Sequence, residues 1–144
     1  MQALKVARKP APVIPVTMSV KQAIPRIHSE AGCAVGVVEG KRLVGTLSKD
    51  DVLKKVVKAG KDAAKVHVGE IMRPLSCSVG PEADTAQALK LMLEKRQCFL
   101  PIVGPDGEAL GWLAVCNLFN EQVHLMDDQL DTLAAYLGAD TPGD

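Results

Sequence analysis

The chain reads as one unit written twice. With Gln22-Ala23-Ile24 set over Gln87-Ala88-Leu89, Cys33 falls on Cys98, Val38 on Val103 and Gly45 on Gly111. The offset is 65 residues up to the central turn and 66 beyond it, because Glu39–Arg42 is one residue shorter than Gly104–Glu108. The lead-in repeats as well, with Val6-Ala7-Arg8-Lys9 over Ile71-Met72-Arg73-Pro74. Such a repeat constrains the fold more than any local signal, since each copy must bury its apolar face against something of matching shape. It predicts two half-domains packed face to face, with paired clefts between them.

Local signals divide each copy into the same elements. Lys9–Pro15, rich in proline, is extended, and Val13-Ile14 is a short strand. Ser19 is an N-cap for a helix running to about Glu30, with Pro25 inside it as a kink point. Cys33–Val38 and Arg42–Leu47 are apolar, β-branched runs joined at Glu39-Gly40, hence a hairpin. Ser48 opens a second helix that Gly60 stops. Val68–Met72 is a helical turn in the linker between copies. In the second copy Ser76–Val79 is strand-like, Asp84 caps a helix over Thr85–Gln97, and Phe99–Val103 with Ala109–Leu113 forms the second hairpin. A last helix starts near Cys116. The boundaries that follow are 1–65 for the first unit with its N-terminal extension, 66–120 for the second with the linker, and 121–144 for a C-terminal helix and tail.

Composition removes several classes of function. Lys plus Arg and Asp plus Glu both number 17 and aromatics are 3%, so neither the basic excess nor the stacking residues of a nucleic-acid binder are there. No apolar run nears the roughly 20 residues of a membrane span, and no secretory signal opens the chain. The four cysteines are not spaced as a zinc site and suit a reducing compartment, so a cytoplasmic protein is expected. Cys33 and Cys98 begin equivalent strands, and buried free thiols packed as small hydrophobes are the expectation for all four. His28, His67 and His124 stand apart with no partner motif. No nucleophile has a matched base and no carboxylate pair is set for acid–base work, so no enzyme, catalytic residue or metal site is expected.

The segment that carries chemistry closes each hairpin: Gly45-Thr46-Leu47-Ser48-Lys49-Asp50-Asp51 in the first copy and Gly111-Trp112-Leu113-Ala114-Val115-Cys116-Asn117 in the second. A strand-to-helix junction offers free backbone N–H groups to an anion, Ser48 adds a hydroxyl, and Asp51 adds an acceptor suited to ribose hydroxyls. Ser48 and Asp51 also have the spacing of a capping box, which needs no ligand.

This segment resembles the nucleotide motif of cystathionine-beta-synthase (CBS) domains, as do Phe99-Leu100-Pro101-Ile102-Val103 and the linker Val68–Pro74. Two copies in register make the chain similar to a tandem CBS pair, or Bateman module, over roughly Val6–Asn120. The resemblance implies an α+β fold of two β-α-β-β-α units related by a pseudo-twofold axis, each with a three-stranded sheet, followed by the C-terminal helix. It implies a non-catalytic regulatory module needing no cofactor, which binds an adenosine compound (AMP, ADP, ATP or S-adenosylmethionine) between the units and signals to a regulated protein by conformational change. Carried over by position, Ser48 meets phosphate and Asp51 ribose, while Ile14, Val35, Gly36, Thr46 and Leu47 line the first site. Val79, Pro101, Trp112 and Asn117 would line a second, weaker one, where Ala114 replaces the hydroxyl.

The resemblance also implies a homodimer, for which the helix faces Leu89–Leu93 and Val52–Val56 are candidates. Phe119, Val123, Met126, Leu130, Leu133 and Leu137 recur at spacings of 4, 3, 4, 3 and 4, a short heptad seam ending at Gly138. It either packs on the chain's own sheets or serves as a dimer or docking helix. The competing reading of the whole chain is therefore a ligand-free structural module that acts through its helix faces and this tail.

Overall fold

A computed structural model describes residues 1–29 and 34–137. Glu30, Cys33 and Gly138 lie outside them, as do the side chains of Val123 and His124. The order is α1 (Ala3–Val6), β1 (Val13–Pro15), α2 (Val20–His28), β2 (Ala34–Glu39), β3 (Arg42–Ser48), α3 (Lys49–Val52), α4 (Val68–Ile71), β4 (Arg73–Pro74), α5 (Thr85–Lys95), β5 (Phe99–Val103), β6 (Ala109–Ala114) and α6 (Val115–Tyr136). After Val52 the α3 chain widens by one residue per turn, the Lys58 N–H donating to the Leu53 carbonyl at 2.9 Å. The fold class is α+β, as the repeat and the resemblance lead one to expect.

The helix caps follow from sequence. Ser19 accepts from the Gln22 N–H at 3.2 Å, and α2 continues through Pro25. Asp84 accepts from the Gln87 N–H at 2.7 Å, and the Gln87 side chain returns the bond to the Asp84 N–H. Helix α5 stops at Arg96, which adopts the left-handed conformation at φ 53°.

The sheets differ from the expected pair of three strands. The first has the order β1-β2-β3-β4, and among the described residues the second holds only β5 and β6 as full strands. Ser76–Val79 contributes a single parallel bridge, Val79 to Ile102, where the first copy pairs Ile14 with Val37. The fourth strand is the linker, Arg73 pairing with Thr46. Its counterpart in the second copy is the bridge from Arg8 to Trp112.

The lead-ins thereby change places. Val66, Val68 and Ile71 of the linker belong to the core of the first unit, with Ile14, Ile27, Val35 and Leu47. Ala3 and Ala7 from the N-terminus belong to the core of the second, with Met92, Leu100 and Leu113. Between the two cores Trp112 is buried against Ala11 and Ala34, its ring stacked on Phe99 at 5.1 Å between centroids and 4° between planes.

The motif glycine Gly45 has a steric task here. A Cβ on it would lie 2.5 Å from the Arg73 carbonyl oxygen, so only glycine lets the linker strand approach β3. At the equivalent Gly111 the same atom would meet the Ala7 and Leu4 side chains at 3.1 and 3.2 Å, with the Arg8 carbonyl oxygen farther off at 3.5 Å. Gly45→Ala is therefore expected to lower stability by about 1–3 kcal/mol, the usual range for overpacking. Gly111→Ala should cost clearly less, and urea unfolding of both variants measures the difference.

Candidate functional site

The β3–α3 junction of the first unit faces the α5–β5 corner of the second across a cavity of about 450 Å³. Thr46, Ser48, Asp51 and Arg73 line one wall, and Arg96, Gln97 and Phe99 line the other. Neither unit alone makes this space. It exists because the linker strand brings Arg73 beside Thr46 and because the second hairpin starts opposite the first helix.

Asp51 is the electrostatic centre of the near wall. Its side chain is 1% exposed, yet it carries three hydrogen bonds: from the Ser48 N–H and hydroxyl, each at 3.0 Å, and from Arg73 Nε at 2.8 Å. Lys55 Nζ stands 3.9 Å away and donates to the Ile71 carbonyl at 2.9 Å. The Asp51 N–H in turn donates to the Ser48 hydroxyl at 3.2 Å. The capping box read from the sequence is thus complete, and a cation from the linker has joined it. The hydrogen bond to Asp51, with its charge, raises the pKa of Arg73 above its ordinary value, so the guanidinium stays charged at any physiological pH. A buried carboxylate without such a partner would be strongly unfavourable.

Around this closed pair the cavity carries cations that have no partner of that kind among the described residues. Lys49 and Arg96 are exposed on its rim, and Asp50, also on the rim, is paired with Lys54 at 3.0 Å. Gln97 Oε1 is buried and has no hydrogen-bond partner among the described residues. The lining therefore joins positive charge, a free amide acceptor and an aromatic edge, a combination that suits a small anion-bearing heterocycle.

Of the residues singled out from sequence, Thr46, Ser48 and Asp51 meet in this cavity. Leu47 is fully buried in the first core. Ile14 and Val35, also core residues, border a separate recess of about 220 Å³ beside Arg8 and Arg26. Gly36 pairs with Thr46 across the sheet and gives Leu43, Val13 and Trp112 room, for a Cβ there would come within 2.8, 3.1 and 3.2 Å of their side chains.

The second group is not gathered in one cavity among the described residues. Pro101 and Trp112 are buried partners in β5 and β6. Asn117 is half-buried and accepts from Cys116 Sγ at 3.3 Å, and Val79 borders a different recess. Trp112 stands where the first unit has Thr46, so a buried indole replaces a small hydroxyl side chain at that position. Sequence reasoning did not single out Lys49, Arg73, Arg96 or Gln97. Applying the pseudo-twofold relation to the α5–β5 corner would have pointed to the last two. Among the described residues no group of three or more His, Cys, Asp or Glu could hold a metal ion, and no helix is long and apolar enough to cross a membrane.

The CBS domain family model matches residues 3–58 and again 68–123. The chain belongs to the CBS domain family. This CBS pair is 27% identical over 101 residues to the CBS domain-containing protein CBSX3, mitochondrial, of Arabidopsis thaliana, covering 69% of this chain and 48% of that protein. It thus spans about half the length of the curated relatives it matches. Among solved structures, CBSX2 from Arabidopsis thaliana superposes with a TM-score of 0.73 at 22% identity, over 88% of this chain and 96% of that one. CBSX2 in complex with AMP gives a TM-score of 0.71 at 24% identity, over 87% and 98%.

Truncating Asp51 to Ala removes the cap acceptor and the partner of a half-exposed arginine together. The expected loss is about 1–2 kcal/mol, a cap plus a solvent-screened ion pair. Asp51→Asn, which keeps an acceptor for the cap, should lose less. Chemical denaturation of the two variants beside the parent checks the order.

Proposed function

We propose that this CBS pair is a non-catalytic regulatory module that binds an adenine nucleotide in the cavity between Ser48 and Gln97. The observation that carries the reading is the cavity itself, walled by both units and rimmed by Lys49, Arg73 and Arg96. Its volume lies within the usual range for small-molecule sites. The unpartnered Gln97 Oε1 offers an acceptor to an exocyclic amino group, which adenine carries. The AMP complex of the related CBSX2 is further support.

In this reading Lys49 and Arg96 meet phosphate, with Ser48 contributing its backbone and hydroxyl. Asp51 holds Arg73 in place, and reaches ribose hydroxyls only with the lone pairs that Ser48 and Arg73 leave free. Because both units contribute walls, a ligand binds best at one setting of the units and so biases their arrangement, the minimum a switch requires. A regulated protein that reads this arrangement completes the proposal.

The completed capping box favours one alternative, a ligand-free structural module in which Ser48 and Asp51 only close a helix. A thermal-shift series with AMP, ADP, ATP, S-adenosylmethionine and GMP separates the two. At a hundredfold excess over its dissociation constant a specific ligand adds about 2.7 kcal/mol. A shift confined to adenine compounds is expected, and no shift at millimolar ligand would leave the structural reading.

Arg96 gives a second check. Replacing it with Gly relieves a left-handed residue that costs about 1–2 kcal/mol, so stability should hold or rise slightly. Nucleotide affinity should nevertheless fall about tenfold or more, the scale of one charge-assisted hydrogen bond. Calorimetric titration beside a melting curve reads both.

A further inference from the structure

The linker is fastened to the first unit through one buried carboxylate. Arg73 Nε donates to Asp51 Oδ1 at 2.8 Å. Lys55 Nζ stands 3.9 Å from the same oxygen and donates to the Ile71 carbonyl at 2.9 Å. Arg73 and Lys55 thus flank Asp51 together, and Lys55 reaches the linker as well. Lys55 lies in the widened turn after Val52, a feature that recurs at functional sites.

Arg73 is only partly used by this arrangement. Among the described residues Nε is its engaged donor, and the side chain is 57% exposed and lines the cavity with Lys49 and Arg96. A guanidinium carries its N–H donors in a rigid fork, so fixing Nε also sets the direction of the terminal amino groups. An anion can take those groups without breaking the bond to Asp51. Lys55 then keeps a second cation beside the buried carboxylate. The backbone of Arg73 belongs to β4 and pairs with Thr46, and the Leu75 N–H continues the ladder to the Val44 carbonyl at 3.0 Å. The second unit lacks this device: Arg8 bridges to Trp112 in the equivalent place, but its junction has Asn117 instead of Asp51.

We propose that the linker strand β4 senses an anion in the cavity, with Arg73 as the contact and Asp51 as the residue that positions it. The anion completes a chain through Arg73 and Asp51 to α3, which holds β4 more firmly on β3. Because the linker packs in the core of the first unit and runs on into the second, its fastening sets how firmly the two are joined. The inference rests on the nucleotide reading only in taking this cavity as an anion site. Base and ribose play no part in it.

Inorganic pyrophosphate tests it with the full chain, since it offers charge without base or ribose. Calorimetric titration of the parent should show binding, and saturation should slow hydrogen exchange of the Leu75 N–H. The Arg8 N–H, which donates to the Trp112 carbonyl, is the internal reference and should slow less. Asp51→Asn keeps an oxygen for the Ser48 cap but turns an amide donor toward Arg73. It should bind pyrophosphate about tenfold more weakly, the scale of one charge-assisted hydrogen bond. Loss of a negative charge beside an anion would by Coulomb's law alone strengthen binding, so the sign decides. Arg73→Lys keeps the charge and loses the fork, and should weaken binding similarly. The double variant should be no weaker than either single one, because both break the same contact. Arg73→Lys alters a half-exposed side chain, so it carries the test should Asp51→Asn unfold. Unweakened binding by either variant, additive losses, or pyrophosphate binding without slowing at Leu75 would overturn the inference. So would a parent that binds AMP and not pyrophosphate, a result that leaves the nucleotide reading standing. A parent that binds pyrophosphate with these effects but prefers no adenine compound supports the inference and removes that reading.

Discussion

The structure depends on an exchange of lead-ins. The segment that precedes each hairpin unit packs on the sheet of the other: the linker along β3, the N-terminus against β6. Each unit therefore lacks part of its own core until the other is present. The exchange also fixes how the units face one another, because a strand held in register by backbone hydrogen bonds has little freedom to slide. Gly45 is the residue that admits the linker, and the cavity is the space that remains once it has docked.

One carboxylate then serves two levels of structure. Asp51 closes the first turn of α3 and, through Arg73, ties that turn to the linker strand. The second unit has Asn117 in its place and Ala114 where the first has Ser48, so the equivalent junction holds neither the charge nor the hydroxyl. The duplication has diverged into a polar half and an apolar half. Trp112 completes the difference by burying an indole between the two cores, opposite the glycine that gives it room.

Membership in the CBS family accounts for the architecture and leaves the particular traits of this chain to its own residues. These are the cations at Lys49, Arg73 and Arg96, the free acceptor of Gln97, and an α6 that extends past the fold with its apolar stripe uncovered. Each is a surface or cavity feature, and each concerns what the module touches more than how it folds.

The sequence by itself determined the duplication, the hairpins, the caps at Ser19, Ser48 and Asp84, and the meeting of Ser48 with Asp51. These are set by local periodicity and by hydrogen bonds spanning three or four residues. It was also enough to mark α6 as helical and apolar on one side. Tertiary structure decided which lead-in belongs to which core, that Arg73 would reach Asp51 from 22 residues away, and that Ile14, Val35 and Leu47 would go to the core and its edge while Arg96 and Gln97 faced the cavity. Those outcomes depend on how two sheets sit against each other. That arrangement comes from packing summed over many residues, and no short stretch of the chain records it.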